Sequence, residues 1–169
     1  MASEIERFRR LFEYEVWCTP RLLDSLKRAD AAVKETGLAA LVPPLDRAIE
    51  IFCHVQGAKQ VWLSRASSLV EFPRDGVFPV WDIERAAREA ADADRLWTTF
   101  MSGLDEAAID RIVHYTSTEG VAYASTLADI LTHVVNHGSY HRGQIALLVA
   151  QTGTKPSATD HVAFARRKA

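Results

Sequence analysis

The stretch HVVNHGSYHRGQI, residues 133–145, decides how this sequence is interpreted. It lies within a longer segment, residues 127–151, whose apolar residues recur every three or four positions, as they do on one face of an α-helix. The residues that share this face are Leu127, Ile130, Leu131, Val134, His137, His141, Ile145 and Leu148. We therefore predict a long amphipathic helix that carries histidines on its buried face.

Three histidines on this helix have the spacing of metal ligands. His133, His137 and His141 are each four positions apart, so successive imidazoles lie about one turn apart on the same side. Two such rings can bind one metal ion. His133 lies about 12 Å along the axis from His141, so we interpret it as a packing or supporting residue. A zinc-protease helix needs a Glu after its first His, whereas Gly138 follows His137, which disfavours that class.

Upstream, the first predicted helix covers residues 3–29. Pro20 should kink or split this helix near Thr19, because proline lacks the backbone donor. Residues 30–41 are predicted to connect it to the second helix.

The rest of the chain supplies two more helices and a hairpin. Helical periodicity predicts the second helix over residues 45–69 and the third over residues 81–104, with a loop at residues 71–80 between them. Residues 111–125 are rich in β-branched and aromatic side chains and predict a hairpin. Residues 159–164 could form one docked turn. The fold class predicted is all-α, a four-helix bundle with a small β-hairpin between helices 3 and 4, as one domain over residues 1–169.

Composition excludes several classes of protein. Of 169 residues, 48% are apolar and 25% are charged, and the net charge of −2 argues against binding to nucleic acid. No apolar run is long enough to span a membrane, and the first ten residues lack the apolar core of a secretory signal. With only two cysteines, a reduced cytoplasmic chain is expected.

The third metal ligand is predicted to come from the second helix. His54 lies on its apolar arc, and a buried imidazole needs a partner. Metal sites in bundles are built from inward side chains on facing helices. Spacing alone leaves two interpretations open. Either His54, His137 and His141 bind one divalent metal, or His54 is a hydrogen-bonded core residue and the four-residue spacing of His137 and His141 arises by chance.

Three imidazoles would leave at least one coordination position free, whereas structural zinc sites are normally closed by four protein ligands. Cys53 adjoins His54 but projects about 100° away around the helix. An open site of this kind can lower the pKa of a bound water toward about 7, or hold a thiolate or a carbonyl. The expected cofactor is one divalent transition metal, zinc or nickel first, with iron or copper as alternatives.

Several neighbouring side chains have two possible roles. Tyr140 and Gln144 could orient an imidazole or pack within the bundle. Arg65 and Arg142 could hold a carboxylate, or pair with acidic residues between helices. His114 and His161 are predicted to be surface or structural residues, and Cys18 and Cys53 are predicted to be small buried hydrophobic residues.

The sequence resembles the DinB/YfiT-like metalloenzyme family, which is distinct from the DNA polymerase also called DinB. The resemblance rests on HVVNHGSYHRGQI (133–145), HVQGAKQVWLSR (54–65), YEVWCTPRLLDSL (14–26) and TDHVAFAR (159–166). It implies a four-helix bundle in which three histidines, here His54, His137 and His141, hold a divalent metal. Pro20 departs from the family pattern, in which the first helix usually continues unbroken.

The resemblance also implies a range of activities. Some members transfer low-molecular-weight thiols or use them to isomerise substrates, so a thiol-dependent S-transferase or a hydrolase acting on a small-molecule substrate is expected. The alternative is a non-catalytic metal-binding or stress-response protein whose metal is structural or sensing. Members commonly pair, so a homodimer is expected.

Overall fold

The computed structural model of the chain describes residues 3–166, in which four long helices enclose the core. The helices are α1 (Glu4–Thr36), α2 (Val42–Ala66), α3 (Ile83–Ser102), α4 (Leu127–Gln151) and the short α5 (His161–Ala165). Strands β1 (Ile112–Thr116) and β2 (Ala122–Thr126) form an antiparallel hairpin between α3 and α4. Short 3-10 turns cover Ala39–Leu41 and Glu106–Asp110. The predicted all-α class and the position of the hairpin are confirmed.

Helix α4 has the bounds that its apolar period predicts, because both of its ends are marked in the sequence. The side chain of Thr126 caps the first turn by accepting from the backbone N–H of Asp129 at 3.1 Å. Gly153, with φ of 81°, turns the chain away just beyond the last turn.

Helix α1 is longer than predicted, and the expected connection over residues 30–41 is wrong in its first part. The helix continues to Thr36 because Ala29 and Val33 extend its buried stripe by one further turn. It ends where Gly37 adopts the left-handed conformation, with φ of 64°.

The predicted split near Thr19 is also wrong, since α1 runs continuously through Pro20. Pro20 lies on the exposed side of the helix, where water can satisfy the carbonyl that loses its backbone partner. In this respect α1 resembles the unbroken first helix of the family.

The core consists of two apolar clusters separated by a layer of buried charge. One cluster, around Phe12 and Trp97, lies at the hairpin end of the bundle, and the other surrounds Leu26 and Phe52. Between them, each long helix contributes one buried charged residue. These form two ion pairs, Glu15 with Arg142 and Lys59 with Asp94.

Helices α2 and α4 make the most extensive pairwise contact in the bundle. The hairpin packs on this pair through Tyr115, whose ring meets that of Trp62 edge-on at 5.1 Å between centroids. Within residues 3–166, no helix combines the length and apolarity needed to cross a bilayer.

Candidate metal centre

Three imidazoles converge where α2 faces α4. His54 lies in the middle of α2, and His137 and His141 lie on successive turns of α4. One ring nitrogen from each lies within 4.8 Å of the other two, and the Nε2 atoms of His54 and His137 are 3.1 Å apart. The ring centroids of His137 and His141 are 4.4 Å apart, as i, i+4 spacing on one helix face predicts.

The ring of His54 is held by the loop that precedes α3. Its Nδ1 lies 2.9 Å from the carbonyl oxygen of Val77, and a carbonyl can only accept, so Nδ1 carries the hydrogen. In the neutral form of this ring, Nε2 presents a lone pair toward the cluster. The ring of Phe78 stacks on that of His54, with centroids 4.6 Å apart and an interplanar angle of 9°.

The ring of His141 is held from within its own helix. Its Nδ1 donates to Oε1 of Gln144 at 2.7 Å, so Gln144 takes the orienting role rather than the packing role. Tyr140 meets the His141 ring edge-on at 5.0 Å but is 66% exposed, so it is not a residue of the bundle core.

Burial and mutual repulsion favour the uncharged form of the two rings on α4, His137 and His141. The pKa of His137 falls from 6.5 to about 4, because burial disfavours the imidazolium and the charges that His141, His54 and His133 would carry oppose it further. The pKa of His141 is also lowered, first by burial, while the hydrogen bond to Gln144 opposes the shift. Neutral imidazoles are the form that binds transition metals.

The donor set fits a divalent transition ion. Two nitrogens bound tetrahedrally to one zinc, at about 2.0–2.1 Å each, lie about 3.3–3.4 Å apart, which is close to the 3.1 Å between His54 and His137. Over residues 3–166, the cluster contains these three histidines and no carboxylate or thiol as a fourth member. Cys53 points elsewhere, with its Sγ 3.7 Å from the carbonyl oxygen of Trp81.

A family model described as the DinB family matches residues 46–168. The chain belongs to the DinB family. All three clustered histidines lie within the matched residues. The protein called Protein DinB from Bacillus subtilis (strain 168) is 22% identical over 160 residues, which is 90% of each chain. No solved structure matches significantly.

The loop at residues 71–80 contributes two groups to this DinB-family site that sequence reasoning missed, the carbonyl of Val77 and the ring of Phe78. It can approach α2 because residue 57 is glycine. A Cβ there would lie 2.7 Å from Cδ of Pro79 and 2.9 Å from the carbonyl oxygen of Gly76. A glycine inside an otherwise regular helix costs about 1 kcal/mol. Gly57 was therefore the available signal that another segment packs closely on α2.

The other histidines of this DinB-family protein lie outside the cluster. His133 lies one turn before His137, against the ring of Trp62 at 5.0 Å. His114 is exposed on β1, and His161 packs edge-on against Tyr14 at 5.0 Å.

The sequence left two roles open for Arg65 and Arg142, and the structure places these two arginines in different environments. Arg142 donates to both carboxylate oxygens of Glu15 at 2.7 Å and ties α4 to α1. Arg65 lies over the rings of Trp62 and Tyr115 and donates to the carbonyl of Thr116 at 2.8 Å.

Two cavities open on either side of the histidines. One, of about 340 Å³, is lined by His54 and His141 together with Phe78 and Trp81. The other, of about 370 Å³, includes His137 in its wall. Val77 faces the second cavity and Phe78 the first, so the loop passes between them. We call these the Phe78 cavity and the Arg65 cavity.

Proposed function

We propose that this DinB-family protein is a metal-dependent enzyme in which His54, His137 and His141 hold one divalent transition ion, zinc or nickel. The observation that carries the proposal is the convergence of three imidazole nitrogens beside two cavities. Two of the rings are already oriented by acceptors on their other nitrogens, as metal-ligating histidines are.

The proposed reaction class is thiol-dependent S-transfer or hydrolysis. When bound, a divalent ion supplies Lewis-acid chemistry that activates a thiol, a water or a carbonyl. The protein's own thiols are poor candidates for the nucleophile: Cys18 and Cys53 are each 1% exposed, and burial raises the pKa of both. A nucleophile from solution therefore suits the site better than one from the chain.

The substrates proposed are small molecules. Each cavity has the volume of an ordinary small-molecule site, about 300–1,000 Å³, and each includes at least one of the three histidines. A low-molecular-weight thiol in one cavity and its acceptor in the other would meet at the histidines. The ring of Phe78, although 76% exposed, covers one face of His54 there.

The test is turnover with and without metal. We expect purified protein loaded with zinc or nickel to catalyse transfer of cysteine to 1-chloro-2,4-dinitrobenzene, or hydrolysis of 4-nitrophenyl acetate. Chelation or His137→Ala should abolish that activity, while His114→Ala should keep it. Turnover that survives complete removal of the metal would contradict the proposal.

The non-catalytic alternative predicts a different pattern. A structural or sensing metal would raise the melting temperature, which chelation would then lower sharply, without any metal-dependent turnover. A homodimer stays an expectation from the family resemblance, and a cytoplasmic location stays a prediction from the sequence. Light scattering after size-exclusion chromatography measures the first.

A further inference from the structure

The Arg65 cavity contains a cation that no acidic residue neutralises within the described part of the chain, residues 3–166. Its wall combines Arg65, His133 and His137 with hydroxyl-bearing and aromatic side chains, and it includes no Asp or Glu. Over residues 3–166, Arg65 forms no ion pair. The described contacts of its guanidinium are one hydrogen bond, to the carbonyl of Thr116, and two aromatic faces.

These contacts fix the guanidinium in place. Its Cζ lies 4.7 Å from the centroid of Trp62 and 5.1 Å from that of Tyr115, which themselves meet edge-on. An arginine held in this way has already lost much of its rotamer freedom, so a bound anion costs less ordering. Only one of its five N–H groups is used by the hydrogen bond to Thr116.

The Phe78 cavity provides the contrast. Its arginine, Arg47, pairs with Glu50 at 2.9 Å, and both residues line that cavity. Of the two cavities beside the histidines, the Arg65 cavity is therefore the one with an uncompensated positive charge.

We propose that the Arg65 cavity is a carboxylate-binding subsite. The carboxylate of a small-molecule substrate binds Arg65, and its apolar or aromatic body lies against Trp62, Tyr115 and Tyr123, pointing toward His137. One guanidinium among largely apolar walls matches a monoanion with an apolar body. The orientation of the substrate toward the histidines rests on the proposed function. The subsite itself needs no metal.

The test is an NMR titration of the full chain with benzoate and with benzamide, its uncharged isostere. It is run on metal-loaded protein and on protein kept in chelator. We expect benzoate to bind both forms and to perturb the indole signal of Trp62, identified with Trp62→Phe. Benzamide should bind with an affinity at least about tenfold lower, because it cannot form the charge-assisted pair with Arg65.

Substitutions of Arg65 distinguish a specific contact between its guanidinium and the carboxylate from a general attraction to positive charge. Arg65→Gln should weaken benzoate binding roughly tenfold or more. Arg65→Lys, which keeps the charge but not the planar fork, should fall between wild type and Arg65→Gln. Arg47→Gln is the matched control in the other cavity and should bind as wild type does.

Three results would overturn the subsite: no benzoate binding by wild type at 50 mM, equal affinity for benzoate and benzamide, or unchanged affinity in Arg65→Gln. Benzoate binding only to the metal-loaded form, and insensitive to Arg65, would place the anion at the histidines instead. Binding is also measured in chelator, so the test of the carboxylate subsite holds even if the three histidines bind no metal. The melting temperatures of Arg65→Gln and Arg65→Lys show whether either substitution destabilises the protein by removing the contacts of Arg65 with β1.

Discussion

His54, His137 and His141 are clustered because the helical period places each of them inward, and this much was predictable from spacing. The groups that orient them were only partly predictable. Gln144 is three positions after His141 on the same helix, so it could be named from the sequence. The carbonyl of Val77 could not, because a backbone oxygen has no residue signature and its position depends on the path of a loop.

Gly57 sets that path, so Gly57→Ala should weaken metal binding without touching a ligand. The added Cβ would clash with Pro79 and with the carbonyl of Gly76, and would move the loop that holds His54. Loss of such an outer partner typically costs about 10- to 100-fold in metal affinity. Competition titration with a metal-sensitive dye measures this.

Gly143→Ala is the matched control, because Gly143 also lies within a helix but a Cβ there meets nothing within 4 Å. It should bind metal as wild type does and gain up to about 1 kcal/mol in stability from helix propensity. Equal metal affinities for the two variants would show that the loop does not position His54.

His137 should make the metal-free protein less stable in acid. Its pKa is about 4 in the folded protein and 6.5 ordinarily, so between those values the unfolded state binds the extra proton. The free energy of unfolding is therefore highest above pH 6.5 and falls as the pH drops toward 4. Urea unfolding in chelator at pH 7 and pH 5 measures the decrease, which should be smaller in His137→Asn. The same decrease in both proteins would be inconsistent with a buried neutral His137.

At the scale of elements, the bounds of α4 were predictable because an N-cap and a glycine mark its ends. The end of α1 is marked in the same way by Gly37, but residues 30–41 were predicted to be a connection, and only packing shows that Val33 is buried. Pro20 was misleading because proline disrupts a helix less where its missing bond faces water, and Pro20 lies on the exposed side of α1.

Helices α1 and α4 are joined by the buried pair of Glu15 and Arg142, whose side chains are each 5% exposed. The carboxylate lies against the α4 backbone at Gly138, where a Cβ would collide with it. Arg142→Met should lower the free energy of unfolding by about 3–5 kcal/mol, because it leaves Glu15 buried and unpaired. Arg10→Met removes an exposed pair with Glu13 and should cost at most about 1 kcal/mol. If urea denaturation shows equally small decreases in the free energy of unfolding for Arg142→Met and Arg10→Met, the pair of Glu15 and Arg142 does not hold the two helices together.

At the scale of the whole molecule, the bundle serves as a frame for one polar region in its middle. Two apolar clusters stabilise its ends, and the layer of charged pairs separates them at the level of Arg142, one residue beyond His141. Fold class and the set of clustered histidines followed from periodicity. The two cavities and the loop between them did not, because they depend on how a connection without regular structure crosses α2.

The most direct test of the metal centre is the metal content of protein purified without added metal, measured by mass spectrometry. Wild type and His114→Ala should each contain about one divalent transition ion per chain, since three converging imidazoles hold it. His54→Ala, His137→Ala and His141→Ala should each retain less than about a tenth of that amount. Metal contents in these three variants equal to that of wild type would contradict the three-histidine centre.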